Sequence, residues 1–369
     1  MPKIYIIAGE ASGDLIGSKL ISELRKQSKN LTLKGIGGSK MISKGFQSLF
    51  NIQDLSIMGF MEVIPSIPRI LWRLKQTVDD IKKFSPDIIV TIDSPGFNFR
   101  LAKKLHEQFP NQLKMIHYVA PTVWAYKPER VNIIKELYKH LLVILPFEKK
   151  FFDAVKAPCT FIGHPILEHH KPSNNKNESK ILLMPGSRKN EINKHLKVFV
   201  EVANKLHAQN PKLKFYIPTF NQFEQNIQKL TRNQSHFIII TDDITKQRII
   251  RKCGYAIVKS GTSSVEMMRE EIPCLVAYKM NTLTYKYLRK KIKINYASLV
   301  NLVLNKEIIR EFIQNNCTAD NIFNEMKKLM NDSKYKAEQI RGYKAAKTKM
   351  LPKSMRPSKT AAKIILENI

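Results

Sequence analysis

The sequence predicts an α/β protein of two Rossmann-like domains, each a parallel sheet covered by helices, with the two sheets facing an interdomain cleft. Three observations lead there. Short apolar runs alternate with amphipathic stretches almost from end to end, the pattern of repeated βαβ units. The runs form two series separated by a polar segment at 169–178 whose composition is that of a linker. Several runs end in turns rich in Gly, Ser and charged residues, where ligands of such sheets bind. The first series comprises 4–8, 31–36, 88–92, 115–119, 141–145 and 160–162, and the second 181–184, 215–217, 237–240, 255–258 and 274–277. Domains are therefore expected at 1–170 and 171–345. Residues 346–369 should form a basic helical segment that returns to the first domain, binds anionic lipid or is simply solvated. Eight Lys or Arg stand there and just before it, at 341–369, against one acidic residue, Glu367.

Sixty-two Lys and Arg oppose 31 Asp and Glu, a formal net charge of +31. Such an excess points to a polyanionic partner, namely nucleic acid, an anionic membrane or phosphorylated substrates, or else to a lysine-rich surface. A nucleic-acid binder should show a basic stripe with interleaved aromatics or a known module, and neither is found. The four cysteines, Cys159, Cys253, Cys274 and Cys317, lie far apart, signalling neither a zinc site nor a disulfide framework and fitting a reducing compartment. No signal peptide is read, because Met1 leads directly into a strand-like run. No apolar run approaches the roughly 18 residues that span a bilayer. A soluble or peripheral protein is expected.

The first strand-to-helix turn reads Gly9-Glu10-Ala11-Ser12-Gly13-Asp14. It is not the dinucleotide fingerprint, and two carboxylates would repel a pyrophosphate. It suits a hydroxyl-rich sugar, or else it is a tight turn with Ser12 or Asp14 capping the next helix. The 88–92 run delivers Asp93 at its carboxyl end, a good position for a general base and equally for a helix cap. In the second series, Pro185-Gly186-Ser187-Arg188 follows a strand and opens a helix. Backbone amides at a positive helix end and an Arg fork make a pyrophosphate cradle, if this is more than a plain turn. Ser260, Gly261 and Thr262 repeat the arrangement, with Glu266 one turn into the helix, where it could take both ribose hydroxyls or serve the helix dipole. No Asp-x-Asp occurs, so Arg188 and helix ends, rather than a metal, are expected to neutralise a leaving diphosphate. His164, alone in Gly163-His164-Pro165, reads as structural.

Ile67, Ile70, Leu71, Leu74, Val78 and Ile81 follow helical spacing, and Arg69, Trp72, Arg73 and Lys75 share the helix. Upstream, Met58, Phe60, Met61, Val63 and Ile64 form a nearly apolar stretch. This is either a core-facing stripe or a basic interfacial element for a membrane. Lys286, Arg289, Lys290, Lys291 and Lys293 would add attraction to anionic headgroups.

Along nearly its whole length the chain resembles the lipid-A-disaccharide synthases. The matching stretches are GEASGD at 9–14, Gly35-Ile36-Gly37-Gly38, Met58-Gly59 with Glu62-Val63, DSPGFN at 93–98, HYVAPTVWAY at 117–126 and LPFE at 145–148. FIGHP at 161–165, PGSR at 185–188 with Glu191, SGT at 260–262 with Glu266, and 296–301 complete the set. GSR or SGT alone is weak; ten stretches in order at suitable spacing are highly specific. Gly96, Val300 and the absence of a proline near the middle of the helix after Arg188 depart from the family pattern.

The resemblance implies a GT-B fold and a peripheral enzyme on the cytoplasmic face of the inner membrane. Its reaction would join UDP-2,3-diacylglucosamine to 2,3-diacylglucosamine 1-phosphate, giving the β-1,6 disaccharide and UDP, with no cofactor or metal. The 1–170 domain would face acceptor and membrane, and the 171–345 domain would hold the nucleotide-linked donor. Asp93 matches the family's essential acidic residue, with Glu10 and Asp14 as possible aids, and Arg188 its essential arginine. Gly186, Ser187, Ser260, Gly261, Thr262, Glu266 and Asn301 would surround the UDP. Met61, Val63, Ile64, Ile67, Ile70, Leu71 and Leu74 would meet membrane or acyl chains. A homodimer stays open. Rivals are another UDP-sugar enzyme on the same fold, such as a 2-epimerase or a peptidoglycan glycosyltransferase, and a nucleic-acid-binding protein.

Overall fold

A computed structural model of the chain describes residues 1–55, 60–110, 112–282, 285–286, 292 and 294–369, the side chains of 60–66 excepted. The first sheet comprises β1 (Lys3–Ala8), β2 (Thr32–Ile36), β3 (Gln47–Ser48), β4 (Ile88–Ile92), β5 (Met115–Tyr118), β6 (His140–Val143) and β7 (Cys159–Phe161). Its order is β3-β2-β1-β4-β5-β6-β7, with every pair parallel. The second comprises β8 (Asn177–Met184), β9 (Lys214–Pro218), β10 (Phe237–Ile240), β11 (Cys253–Lys259), β12 (Cys274–Tyr278) and β13 (Glu311–Ile313). Its order is β10-β9-β8-β11-β12-β13, again parallel throughout.

The central strands read as unbroken apolar runs because helices cover both faces of a parallel sheet. All five residues of β4, and all but the first of β1, are buried. Each of the eleven predicted runs is a strand. β3 and β13 were not foreseen, since Gln47-Ser48 and Glu311-Phe312-Ile313 are too short and polar to make an apolar run. They exist through pairing with β2 and β12 at the sheet edges.

The chain forms two compact units. The first holds Met1–Glu168 and also Met350–Ile369; the second is built from the bulk of 169–349. The return is fixed where His164 N donates to Met350 O at 2.9 Å and Ser358 donates to both oxygens of Glu168, from N at 2.7 Å and from Oγ at 2.5 Å. The Pro357–Glu367 helix then packs on the Ala11–Gln27 helix. In each sheet the strand order reverses once, between β1 and β4 and between β8 and β11, so the crevice that binds ligands in such folds lies at those carboxyl ends.

The Phe60–Phe84 helix corrects part of the membrane expectation. Among its described side chains, from 67 on, Leu74, Val78 and Ile81 are buried and Ile70 packs against the same core. Leu74 is therefore a core residue. Ile67, Leu71 and Trp72 stay exposed, at 41%, 55% and 56%. Arg73 is tied to Asp54 at 2.5 Å and lies 4.4 Å over the Phe50 and Trp72 rings, so it anchors the helix and does not face outward as a free cation. Met58, Arg289, Lys290, Lys291 and Lys293, and the side chains of Met61, Val63 and Ile64, lie outside what is described. No helix among the described residues is long and apolar enough to cross a membrane.

Candidate active site

In the first unit the reversal point brings the turn after β1 against the turn after β4. Asp93 and Ser94 both adopt left-handed backbone, with φ of 54° and 46°. Such residues cost roughly 1–3 kcal/mol each and persist only where surroundings over-determine them. Here Asp93 N donates to Tyr118 O at 2.9 Å, Asn98 Nδ2 donates to Asp93 O at 2.7 Å, and Ser94 N donates to Asp93 Oδ1 at 2.8 Å. Gly9 completes the turn, since a Cβ there would stand 2.3 Å from Ser94 Oγ. Ser12 Oγ donates to Asp93 Oδ2 at 3.4 Å, so the GEASGD and DSPGFN turns meet at one half-buried carboxylate. Glu10 is half-buried in the same turn.

Behind this turn lies a buried network. Thr91 Oγ1 and His117 Nδ1 share a hydrogen bond of 2.6 Å, Thr91 also donates to Tyr138 Oη at 3.3 Å, and Tyr138 donates to Asn98 O at 3.3 Å. Burial pushes His117 down to about 3, so it is a neutral framework residue. His164 is likewise buried and pushed down to about 3, with Ile166 N donating to its Nδ1.

Asp14 does not join the site. Its carboxylate accepts backbone N–H from Gly38, Lys40 and Met41 at 2.8–3.0 Å, capping the short Ser39–Ile42 helix. A carboxylate committed to three amides is structural, so its role as a catalytic aid is withdrawn.

Glu148 joins instead. It is 2% exposed, and Oε2 accepts from Ile144 N and Leu145 N while Oε1 accepts from the Trp124 indole at 3.4 Å. Burial pushes its carboxyl up to about 7 against the pull of these donors, and the charge of Asp93 adds to the rise. LPFE after a strand was the only signal in the sequence, and it does not say that the Glu turns inward. Because the folded carboxyl titrates near 7 and the unfolded one near 4.5, the folded state holds the extra proton between those values. Stability linked to Glu148 is present below the unfolded value and is lost as pH rises through about 7, by roughly 3 kcal/mol in all. Denaturation of Glu148→Gln at pH 5 and pH 8 should therefore show a smaller loss of stability than the parent; equal losses would refute the assignment.

In the second unit, β8 and β11 each run into a helix through a glycine with left-handed backbone, Gly186 at φ 131° and Gly261 at φ 133°. Both positions demand glycine, and each precedes a helix N-terminus. Glu191, in the first turn of the Lys189–Gln209 helix, reaches back to Ser187 N at 3.1 Å and binds Arg188 Nη1 at 2.8 Å and Lys259 Nζ at 2.9 Å. Burial would push Glu191 up, but Lys259 and Arg188 outweigh it and hold the carboxyl below its ordinary value. Two cations thus share one carboxylate, leaving a net positive charge where two helices begin. Lys259 heads the 259–266 stretch in the sequence without an assigned role; as the last residue of β11 it meets Glu191 only because β11 lies beside β8.

His195 braces this edge. Lys279 N donates to its Nε2 at 2.9 Å, which places the proton on Nδ1, shared between Glu191 O at 2.7 Å and Pro185 O at 2.9 Å. Burial pushes it down to about 4, so it stays neutral and ties the ends of β8 and β12 together. Thr262 is exposed and Glu266 half-buried on the next turn. Ser260 Oγ donates to Ala297 O at 2.7 Å, spending its only proton on the framework. Asn301 is fully buried: Oδ1 accepts from Ile308 N and Ile309 N, and Nδ2 donates to Ile309 O and Glu311 Oε1. With all four hydrogen-bonding positions used it has none left for UDP, and it instead supports Glu311, which holds Ala297 N and Ser298 N.

The geometry thus assembles Asp93 with Glu148 and Trp124 in one unit, and Arg188, Lys259 and two glycine turns in the other. Among solved structures the fold resembles a UDP-GlcNAc 2-epimerase from Neisseria meningitidis bound to UDP-GlcNAc, with a TM-score of 0.65 at 14% identity over 99% of both chains. It also resembles the calicheamicin glycosyltransferase CalG4, with a TM-score of 0.60 at 11% identity over 100% of this chain and 98% of that one. These likenesses establish the GT-B fold. Lipid-A-disaccharide synthases of Rickettsia bellii and Rickettsia prowazekii are 40% and 38% identical, covering 99% of this chain and 98% and 99% of theirs. A profile of the family described as lipid-A-disaccharide synthetase matches residues 4–365, and the chain belongs to that family.

Proposed function

We propose that the chain transfers the diacylglucosaminyl group of UDP-2,3-diacylglucosamine to the 6-hydroxyl of 2,3-diacylglucosamine 1-phosphate by direct, inverting displacement. Asp93 takes the proton from the attacking hydroxyl. UDP leaves from the second unit, its developing charge met by Arg188, Lys259 and the N-terminal ends of the Lys189–Gln209 and Thr262–Glu270 helices. The lack of Asp-x-Asp supports a route without a metal. One observation carries the reading: at the strand-order reversal of each sheet stands half of this chemistry, a strained carboxylate turn in one and a cationic cradle in the other. Mass spectrometry of products from purified protein and both acylated sugars tests it. A disaccharide monophosphate is expected; its absence, or a C2 epimer of the donor, would sink the reading.

Both substrates carry acyl chains, so the protein must work at a membrane surface. The exposed Ile67, Leu71 and Trp72, with Arg69 and Lys75 beside them, are the residues suited to enter the inner-membrane interface. Changing all three to Ser should weaken sedimentation with anionic vesicles by at least roughly tenfold, since each loses most of its apolar transfer energy. Unchanged sedimentation would remove the helix from that role.

A further inference from the structure

We propose that Trp124 forms a wall of the acceptor-sugar site in the first unit, and that Glu148 is a positioning residue that locks the indole by taking its N–H. The inference rests on the reading of that unit as the acceptor half. Burying an ionisable carboxyl is costly unless its partners repay it. Glu148 is nevertheless buried, and besides two amides of its own turn its partner is the indole. A Trp whose N–H is already bonded presents its apolar ring, the surface that suits the C–H face of a hexose. Phe147 supports the ring edge-on, with centroids 5.3 Å apart and planes at 89°.

The loop that carries Trp124 is rigid in the same sense as the Asp93 turn. Val119, a β-branched residue, is held in left-handed backbone at φ 76°, a true outlier for such a side chain. Its N–H donates to Leu142 O at 2.9 Å, and Tyr126 N closes the far end on Thr122 O at 2.9 Å. Trp124 itself stays half-exposed, so the indole is fixed without being hidden. The turns after β4, β5 and β6 lie side by side at one sheet edge, and the charge of Asp93 reaches Glu148 there. Base, wall and lock are thus neighbours.

The test uses the full chain and the acylated monosaccharide 1-phosphate as probe. The chain has two tryptophans, so in Trp72→Phe protein the emission reports Trp124 alone. Adding acceptor should change that emission and adding UDP should not; an emission indifferent to acceptor overturns the wall. Trp124→Ala should raise acceptor KM about tenfold or more with UDP affinity unchanged. Glu148→Gln must give its oxygen to the Ile144 and Leu145 amides and turn an NH₂ toward the indole N–H, raising acceptor KM roughly tenfold. In a Trp124→Phe background the same change meets no opposing N–H and should add nothing. Equal effects in both backgrounds, or a matching loss of UDP affinity, would overturn the positioning role. A parent protein whose Trp124 responds to acceptor but that makes no disaccharide would refute the reaction and leave the wall standing.

Discussion

Replacing Asp93 by Asn is expected to lower kcat by about 10²–10⁴-fold while UDP affinity stays at the parent value, the range typical for loss of a general base. The substitution leaves most of the turn in place. An amide oxygen still accepts from Ser94 N, as the carboxylate does at 2.8 Å, and the Asn98 and Tyr118 bonds to the Asp93 backbone are untouched. The strained turn is kept, while the oxygen that could take a proton becomes an NH₂, to which Ser12 Oγ can no longer donate as it does to Oδ2 at 3.4 Å. Equilibrium binding of UDP beside single-turnover rates separates the two effects. Full turnover by Asp93→Asn would transfer the base to another carboxylate, Glu10 being the half-buried neighbour in the adjoining turn.

Arg188→Ala should behave differently, weakening UDP binding by roughly 10–100-fold and lowering kcat as well, because a charge-assisted fork to a diphosphate strengthens as the leaving group gains charge. Its removal leaves Glu191 with Lys259 alone and cancels the net positive charge of the cradle. Arg188→Lys should restore part of the affinity, since it supplies charge without the planar fork. Calorimetric titration with UDP decides the matter. An alanine variant that binds UDP as the parent does would take the diphosphate away from the Pro185–Arg188 turn.

Much of the fold was legible because a parallel strand buried on both faces needs an unbroken apolar run, and Ile4 to Ala8 or Ile88 to Ile92 can be little else. The glycine turns of the second unit were legible for a local reason too: Gly186 and Gly261 stand where backbone conformation excludes other residues. Individual roles were less legible. Asp14 lies in the same motif as Glu10, yet its side chain turns to amides 24 to 27 positions away. Asn301 matches a nucleotide-site position but is consumed by the segment that follows it. Leu74 continues the stripe of Ile67 and Leu71, and only the extent of the core beneath the helix separates buried from exposed.

The sequence by itself determined two parallel-sheet units, the glycine-rich turns at their strand ends and the family to which the chain belongs, since hydrophobic period, turn glycines and motif spacing are properties of neighbouring residues. Tertiary structure alone decided which side chains gather at those strand ends and which are taken up by the framework. Strand order sets β4 beside β1 and β11 beside β8, bringing Ser12 to Asp93 across 81 positions and Lys259 to Glu191. A carboxylate's role depends on the donors and charges that surround it, and those come from strands whose adjacency no local pattern encodes.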